Sequence, residues 1–576
     1  METYFAAVKN LLRPSVRDVQ SAIRGEGLGG IASASEGRRV SAASLLSPRL
    51  IPQEATRYFE HHGLLRPAPP SRPYWGGVEL LSDDAVLHFG VSGCTGSGKT
   101  IEILQLIQSV LTGLLPDEDR RALIYDAKRD LYPFFHALGL SPLVYNLNPF
   151  DRRGVAWDLA QDIVSAAEIE QFASIVIPAN PNEHNPFFTD ASRILLRCAI
   201  VALQTQCPGQ WSLRDVVLTV SNPERLRSLL SLNAETKEIG ENFFRAREFP
   251  SVMSTIETKV RPLHVVAALW DKAPRKISLQ KHWLERGAII LLPYHPSYSY
   301  ALDPINRAIF RYLSDAMLAL PKSVSRRSWV ILDEVREAGK LDGLRKLLTQ
   351  GREKGVCVVL GFQDIDGMRE VYGKEGANEL LGECNHKTFL RTDNPATADW
   401  MVSHVNKALI RSRQIGKDRD GRLTTTDSLK IDGTMLAADF LGIPVTSAQF
   451  GLKSFHLSSR IPKPYWAHRP LQSILSRLPV IRRDIPGEDP RPKADQEMRP
   501  WSPEDSARLR LPKLAPEMVS ADDVVDSEPP LRAFMPTPPR PESESADAAD
   551  NPAPASSLLW TTGPLRPKKV SRWNCS

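Results

Sequence analysis

The chain has 576 residues, 42% hydrophobic and 24% charged, which is the composition of a globular protein of several domains rather than of a peptide, fibre or collagen. Its 73 Lys and Arg against 67 Asp and Glu give a formal net charge of +6, which permits an anionic partner without requiring one. Six scattered cysteines show neither a paired C-x-x-C nor a Cys/His ligand spacing, so no disulfide framework or zinc site is indicated, and a reducing cytoplasm is the expected location.

Met1–Arg24 places Phe5, Val8, Leu11 and Leu12 on one helical face, with Lys9, Arg13 and Arg17 interspersed. It lacks the apolar core of a secretory signal and reads as an amphipathic first helix, with a membrane-surface anchor as the other reading. Gly25–Ser47 and Pro67–Pro73 read as linkers, which makes 1–72 a helical and linker region ahead of the folded body. Val86–Val91 is then an apolar strand that runs into Gly93-Cys94-Thr95-Gly96-Ser97-Gly98-Lys99-Thr100, followed by a helix with Ile103, Leu104, Ile107 and Leu111 on one face.

A second strand, Ala122–Tyr125, ends at Asp126; between 161 and 285 the pattern is entirely helical, as in Phe188–Leu203 and Pro223–Leu232. Strands return at Ala288–Leu292, Trp329–Leu332 and Val356–Leu360. Strands alternating with helices predict an α/β fold, a parallel sheet covered on both faces, divided by an inserted all-α domain. The P-loop domain is therefore expected at 73–160 and 286–470, and the insertion at 161–285. The longest apolar stretches, Ala288–Pro293 and Val356–Phe362, fall far short of the roughly 20 residues that cross a bilayer, so no transmembrane helix is expected. From about Ile481 the chain holds roughly a third of its 46 prolines, and 471–576 is expected to be a disordered Pro-rich tail.

The glycine loop has the form G-x-x-x-x-G-K-[ST] in the strand–loop–helix order that a phosphate cradle requires. Backbone N–H groups of Gly93, Thr95, Gly96, Ser97 and Gly98 and the positive helix end would wrap the phosphates, Lys99 would reach the β/γ-phosphates, and the Thr100 hydroxyl would ligate Mg²⁺. The bland alternative is a glycine turn with a solvated lysine. Trp329-Val330-Ile331-Leu332-Asp333-Glu334 is an apolar strand ending in two carboxylates at the edge where open parallel sheets bind ligands. Asp333 would hold the Mg²⁺ shell and Glu334 would polarise the attacking water, so ATP and Mg²⁺ are the expected cofactors and hydrolysis the expected reaction. Gln363, after the next strand, would sense the γ-phosphate or simply end a strand. Arg352 would serve a neighbouring subunit as an arginine finger or cap its own helix.

Several segments together resemble one family, the type IV secretion coupling proteins, the TraD/TraG-like ATPases of bacterial conjugation built on a RecA-like hexameric motor related to FtsK. They are His88-Phe89-Gly90-Val91 before the P-loop, Ile124-Tyr125-Asp126-Ala127-Lys128, Leu147-Asn148-Pro149-Phe150-Asp151, Trp157-Asp158-Leu159, and Pro186-Phe187-Phe188 before Ala191-Ser192-Arg193. Leu332-Asp333-Glu334, Gly351-Arg352-Glu353-Lys354-Gly355 and Gly361-Phe362-Gln363 complete the set. The resemblance covers about 73–470. It implies a homo-hexameric P-loop ATPase that moves single-stranded DNA without reading its sequence, together with a bound relaxase or relaxosome, toward the components of a secretion channel.

It also implies that Arg352 is the trans-acting finger. Arg129 stands where the family commonly has Gly after Asp-x-Lys, and the family's two N-terminal transmembrane helices have no counterpart. The expected location is cytoplasmic, with peripheral contact at the inner membrane as a second reading. Arg411, Arg413, Lys417, Arg419 and Arg422 surround the turn signal Asp420-Gly421 and predict a basic hairpin that tracks phosphates or is merely solvated. The alternative functions are a nucleotide-gated recruitment adaptor for protein substrates and an FtsK-like DNA pump.

Overall fold

The computed structural model describes residues 72–179, 185–405, 435–461 and 463–511, together with the backbone of strands at 37–40, 407–417 and 423–433. The main sheet has nine strands: β1 (Phe89–Ser92), β2 (Arg120–Asp126), β3 (Val144–Asn146), β4 (Ile289–Pro293), β5 (Arg327–Leu332), β6 (Val356–Phe362), β7 (His386–Phe389), β8 (Leu452–Ser458) and β9 (Tyr465–Arg469). Their order is β9-β8-β7-β1-β6-β5-β2-β4-β3. Every pairing from β7 to β3 is parallel, whereas β8 and β9 add antiparallel to the edge.

The expected parallel sheet is present, and the strand period of two explains how it is covered. Leu123, Tyr125, Val330, Leu332, Val358 and Leu360 face one apolar cluster, while Ala122, Ile124, Trp329, Ile331, Cys357 and Val359 face another. The second cluster is closed by helix α1 (Lys99–Leu111), whose Ile103, Leu106, Ile107, Val110 and Leu111 are buried there. The first cluster takes in the helical run that splits the sheet. Those helices are α2 (Ala166–Val176), α3 (Phe187–Gln206), α4 (Leu213–Val220), α5 (Pro223–Leu230), α6 (Ala234–Phe244), α7 (Phe249–Val260) and α8 (Leu263–Asp271). Their starts are written in the sequence: Ser165 with Glu168 and Ser212 with Asp215 form capping boxes, and Asn222 precedes Pro223 at the first helical position.

Two expectations need correction. The first strand was expected from Val86, but Ser82–Leu87 is a 3₁₀ turn and His88 (φ 60°) breaks the backbone before β1 begins at Phe89. The tail expected to lack structure from 471 is ordered as far as Leu511. It includes a helical turn at Leu471–Leu475, a 3₁₀ turn at Lys493–Gln496 and a short helix at Pro503–Arg508, with Leu509 fully buried.

This segment stays in place through polar contacts that composition cannot reveal. The Arg491 side chain donates to the carbonyls of Asp151, Leu269 and Lys272, the Trp501 indole donates to Asp215 (2.9 Å), and Asp505 pairs with the buried Arg214. Residues 512–576 and the N-terminal segments Met1–Arg24 and Gly25–Ser47 lie outside the described residues, apart from the backbone at 37–40. Strands Lys407–Lys417 and Leu423–Gly433 pair antiparallel as the hairpin reading requires, but their side chains and the turn at 418–422 also lie outside it. Among the described residues no helix is long and apolar enough to cross a membrane.

Candidate functional site

The glycine loop connects β1 to α1 at the carboxyl edge of the sheet. Gly96 (φ 76°) and Gly98 (φ 98°) have left-handed backbones, and a Cβ on Gly98 would lie 2.3 Å from Leu452 Cδ1. A Cβ on Gly93 would meet the Ser97 hydroxyl at 2.4 Å. Gly93 and Gly98 leave no room for a side chain, and Gly96 holds a backbone that strains other residues, so the loop can bring backbone up to the cleft. The loop is tied down: the Thr446 N–H donates to Gly96 O (3.2 Å), its hydroxyl donates to Ser97 O (2.8 Å), and the Cys94 N–H donates to Arg391 O (2.9 Å). The first N–H groups of α1 have no intrahelical acceptor and supply the positive end of the helix to the same cleft.

The cleft measures about 320 Å³ and is lined by Cys94, Thr95, Gly96, Gly98, Lys99, Thr100, Ile101, Lys128, Glu334, Gln363, Thr446 and Leu471. Lys99 is buried and forms an ion pair with Glu334. The Thr100 hydroxyl donates to Asp333 Oδ2 at 3.3 Å, so the helix start and the end of β5 meet across the cleft. Asp333 Oδ1 is buried with no hydrogen-bond partner. A buried anionic oxygen without a donor beside a threonine hydroxyl is the donor set a hard dication takes. The glycine cradle next to it suits polyphosphate, so these residues fit a Mg²⁺-nucleotide.

Strand register accounts for Gln363. Leu332 of β5 lies opposite Leu360 of β6, and Phe362 lies opposite Ser92 of β1, so Gln363 emerges between Glu334 and the glycine loop. A Cβ on Gly361 would come within 2.2 Å of Asp333 O, which keeps β6 tight against the carboxylate-bearing loop. Arg352 is elsewhere. It lies exposed in the 3₁₀ turn Gly351–Lys354, which precedes β6, whereas Gln363 follows it. The seven residues of β6 put roughly 20 Å between Arg352 and the cleft of its own chain. Its near neighbour is His88, whose buried imidazole is pulled down to about 4, chiefly by burial, with the Arg352 charge adding to the shift.

Sequence reasoning gave no role to four residues that line the site, Ile101, Lys128, Thr446 and Leu471. Lys128 donates to the Thr100 hydroxyl and lies 3.4 Å from Asp333 Oδ2; its position in Asp126-Ala127-Lys128, directly after β2, was the available signal. Thr446 and Leu471 come from the far end of the chain and carried no motif. Asp126, at the end of β2, is pushed up to about 7 by burial and by Asp130, against the N–H groups of Leu131, Asp130 and Arg129. Burial likewise raises the Cys94 thiol, which argues against a reactive thiolate in the loop.

The family described as type IV secretion-system coupling protein DNA-binding domain matches residues 72–422, more than half of the chain. Coupling protein TraD of Escherichia coli (strain K12) is 22% identical over 480 residues, covering 80% of this chain and 63% of TraD. Conjugal transfer protein TraG of Rhizobium radiobacter is 24% identical over 265 residues, 42% of this chain and 39% of TraG. The chain thus spans less than two thirds of these curated relatives. Among solved structures, the unbound bacterial conjugative coupling protein TrwBdeltaN70 superposes with a TM-score of 0.59 at 20% identity, covering 80% of this chain and 98% of that one. Plasmid coupling protein TrwB in complex with ADP and Mg²⁺ gives 0.58 at 19% identity, covering 81% and 100%. The fold is shared with both.

Proposed function

Because the chain belongs to the type IV secretion-system coupling proteins, we propose that it is an ATP-driven DNA translocase that delivers single-stranded DNA and a bound relaxase to a secretion channel during conjugation. The observation that carries this reading is the cleft, where glycine cradle, Lys99, Thr100, Asp333, Glu334 and Gln363 converge. The bound nucleotide and Mg²⁺ named for TrwB support the choice of ATP and Mg²⁺. A homo-hexamer acting on the cytoplasmic side of the inner membrane is the assembly the reading requires.

The residues divide the work as follows. Lys99 leaves Glu334 for the β/γ-phosphate oxygens, and that exchange frees the Glu334 carboxylate. Glu334 then accepts the proton of the attacking water as its oxygen bonds to the γ-phosphorus and the bond to the ADP oxygen breaks. Thr100 and Asp333 would hold Mg²⁺, which supplies positive charge to the phosphate oxygens. Gln363 hydrogen-bonds the γ-phosphate without adding charge. Arg352, remote from its own cleft, completes the site of the adjacent subunit. The test is ATPase activity with and without single-stranded oligonucleotides of unrelated sequence. The translocase predicts stimulation by all of them and none in Lys99→Ala; DNA-independent hydrolysis would instead favour the recruitment adaptor.

A further inference from the structure

The turn after β2 is held from three directions. Asp126 accepts the N–H groups of Asp130 (3.3 Å) and Leu131 (3.2 Å) on its two carboxylate oxygens. Arg129 takes a left-handed backbone (φ 58°), uncommon for a residue with a side chain, and its guanidinium pairs with Glu488 at 2.6 Å. Glu488 in turn accepts from Asn148 Nδ2 (2.7 Å), and Gly487 packs so closely that a Cβ would lie 2.2 Å from Arg129 O. This fixed turn aims Lys128 back across the cleft. Although its side chain is 52% exposed, its ammonium contacts both the Thr100 hydroxyl and Asp333 Oδ2 rather than water alone.

The Thr100 hydroxyl and the Asp333 carboxylate are the groups that fit Mg²⁺, and one flexible cation bridges them, leaving only Asp333 Oδ1 without a partner. We propose that Lys128 is a tethered counter-ion of the metal position: it neutralises the Thr100–Asp333 pair and must be displaced before Mg²⁺ binds there. It therefore sets the metal concentration at which the site loads. The inference rests on the nucleotide-site reading above. The Thr100 oxygen that accepts from Lys128 is one the metal would need, and a dication there repels the ammonium beside it, so metal entry drives Lys128 off the pair, while Asp130 on the same turn remains within its electrostatic reach. The Arg129–Glu488 pair, by holding the turn, makes the residues around 488 part of this control.

The test is Mn²⁺ titration, followed by loss of the free-ion electron paramagnetic resonance signal, on the full chain at saturating ADP. Lys128→Met should tighten Mn²⁺ binding by about fivefold, the factor equivalent to the upper end for an ion pair at an exposed site. Lys128→Arg, which keeps the charge, should stay close to wild type, and Glu488→Gln should shift affinity in the same direction as Lys128→Met but by less. Unchanged or weaker Mn²⁺ binding in Lys128→Met would overturn the inference. So would weaker ADP binding in metal-free buffer, which would make Lys128 a phosphate contact. If Asp333→Asn leaves Mn²⁺ affinity unchanged, the metal assignment of Asp333 fails instead.

Discussion

Replacing Asp505 with Ala should loosen the ordered C-terminal segment from the helices it covers. Asp505 accepts from Arg214, from Arg508 (3.1 Å) and from the Ser502 N–H (2.9 Å). Arg214 is 1% exposed, and its other carboxylate partner is Asp271 at 2.9 Å. Removing one partner of a buried pair costs about 3–5 kcal/mol, and the surviving Asp271 puts this case near about 3 kcal/mol. The lost capping box adds about 1 kcal/mol. At about 2–4 °C per kcal/mol for a large domain, the melting midpoint should fall by roughly 8–16 °C.

The pH profile gives the sign independently. Burial pushes the Asp505 carboxyl up, but the Ser502 N–H and the Arg214 and Arg508 guanidinium groups outweigh it and hold the carboxyl well below the usual carboxylate range. A depressed pKa contributes stability that is fully present above the unfolded value of 3.8 and is lost as pH falls through the folded value. The gap between wild type and variant should therefore be constant near neutrality and narrow only below about pH 4. Thermal melts over pH, with limited proteolysis mapped by mass spectrometry, read both effects. An unchanged midpoint with no new cleavage between 481 and 511 would mean that Asp505 does not hold the segment in place.

At the cleft, Lys99→Ala should abolish hydrolysis, whereas Glu334→Gln should keep ATP binding because Asp333 survives; equal loss of ATP affinity in both would count against Glu334 as the water-activating base. Arg352→Ala subunits should bind ATP normally yet hydrolyse it about 10³-fold more slowly. Mixing them with Lys99→Ala subunits should restore part of the activity, and no recovery in co-assembled mixtures would confine Arg352 to its own subunit. Asp126, raised above its unfolded 3.8 to about 7, contributes stability that is present below 3.8 and is lost as pH rises through about 7. Asp126→Asn should flatten that part of the profile in urea unfolding, and a variant profile that still falls across the same window would contradict the assignment.

What was legible in the sequence depended on range. The glycine loop and the Asp333-Glu334 strand end announce themselves locally, because each needs specific residues at fixed spacing. The parallel sheet followed from alternation, though its strand order did not, and the remoteness of Arg352 from its own cleft follows from its position before β6. Lys128 was visible as a residue but not as a site residue, because only the turn geometry set by Asp126, Arg129 and Glu488 brings it back to Thr100. The ordered stretch to Leu511 was hidden for a related reason. Its partners Arg214, Asp215 and Asp271 lie more than two hundred residues earlier, and the polar, Pro-rich composition that pairs with them is also that of disordered chain. His88 broke the expected strand because its backbone leaves the extended region, a choice no periodicity encodes.

Hydrolysis in this cleft is proposed to move DNA. Displacement of streptavidin from the biotinylated end of a single-stranded DNA measures movement directly. The wild-type chain should strip streptavidin only with ATP and Mg²⁺, and Glu334→Gln should bind ATP and DNA but strip none. DNA-stimulated hydrolysis by the wild-type chain with no displacement would contradict it.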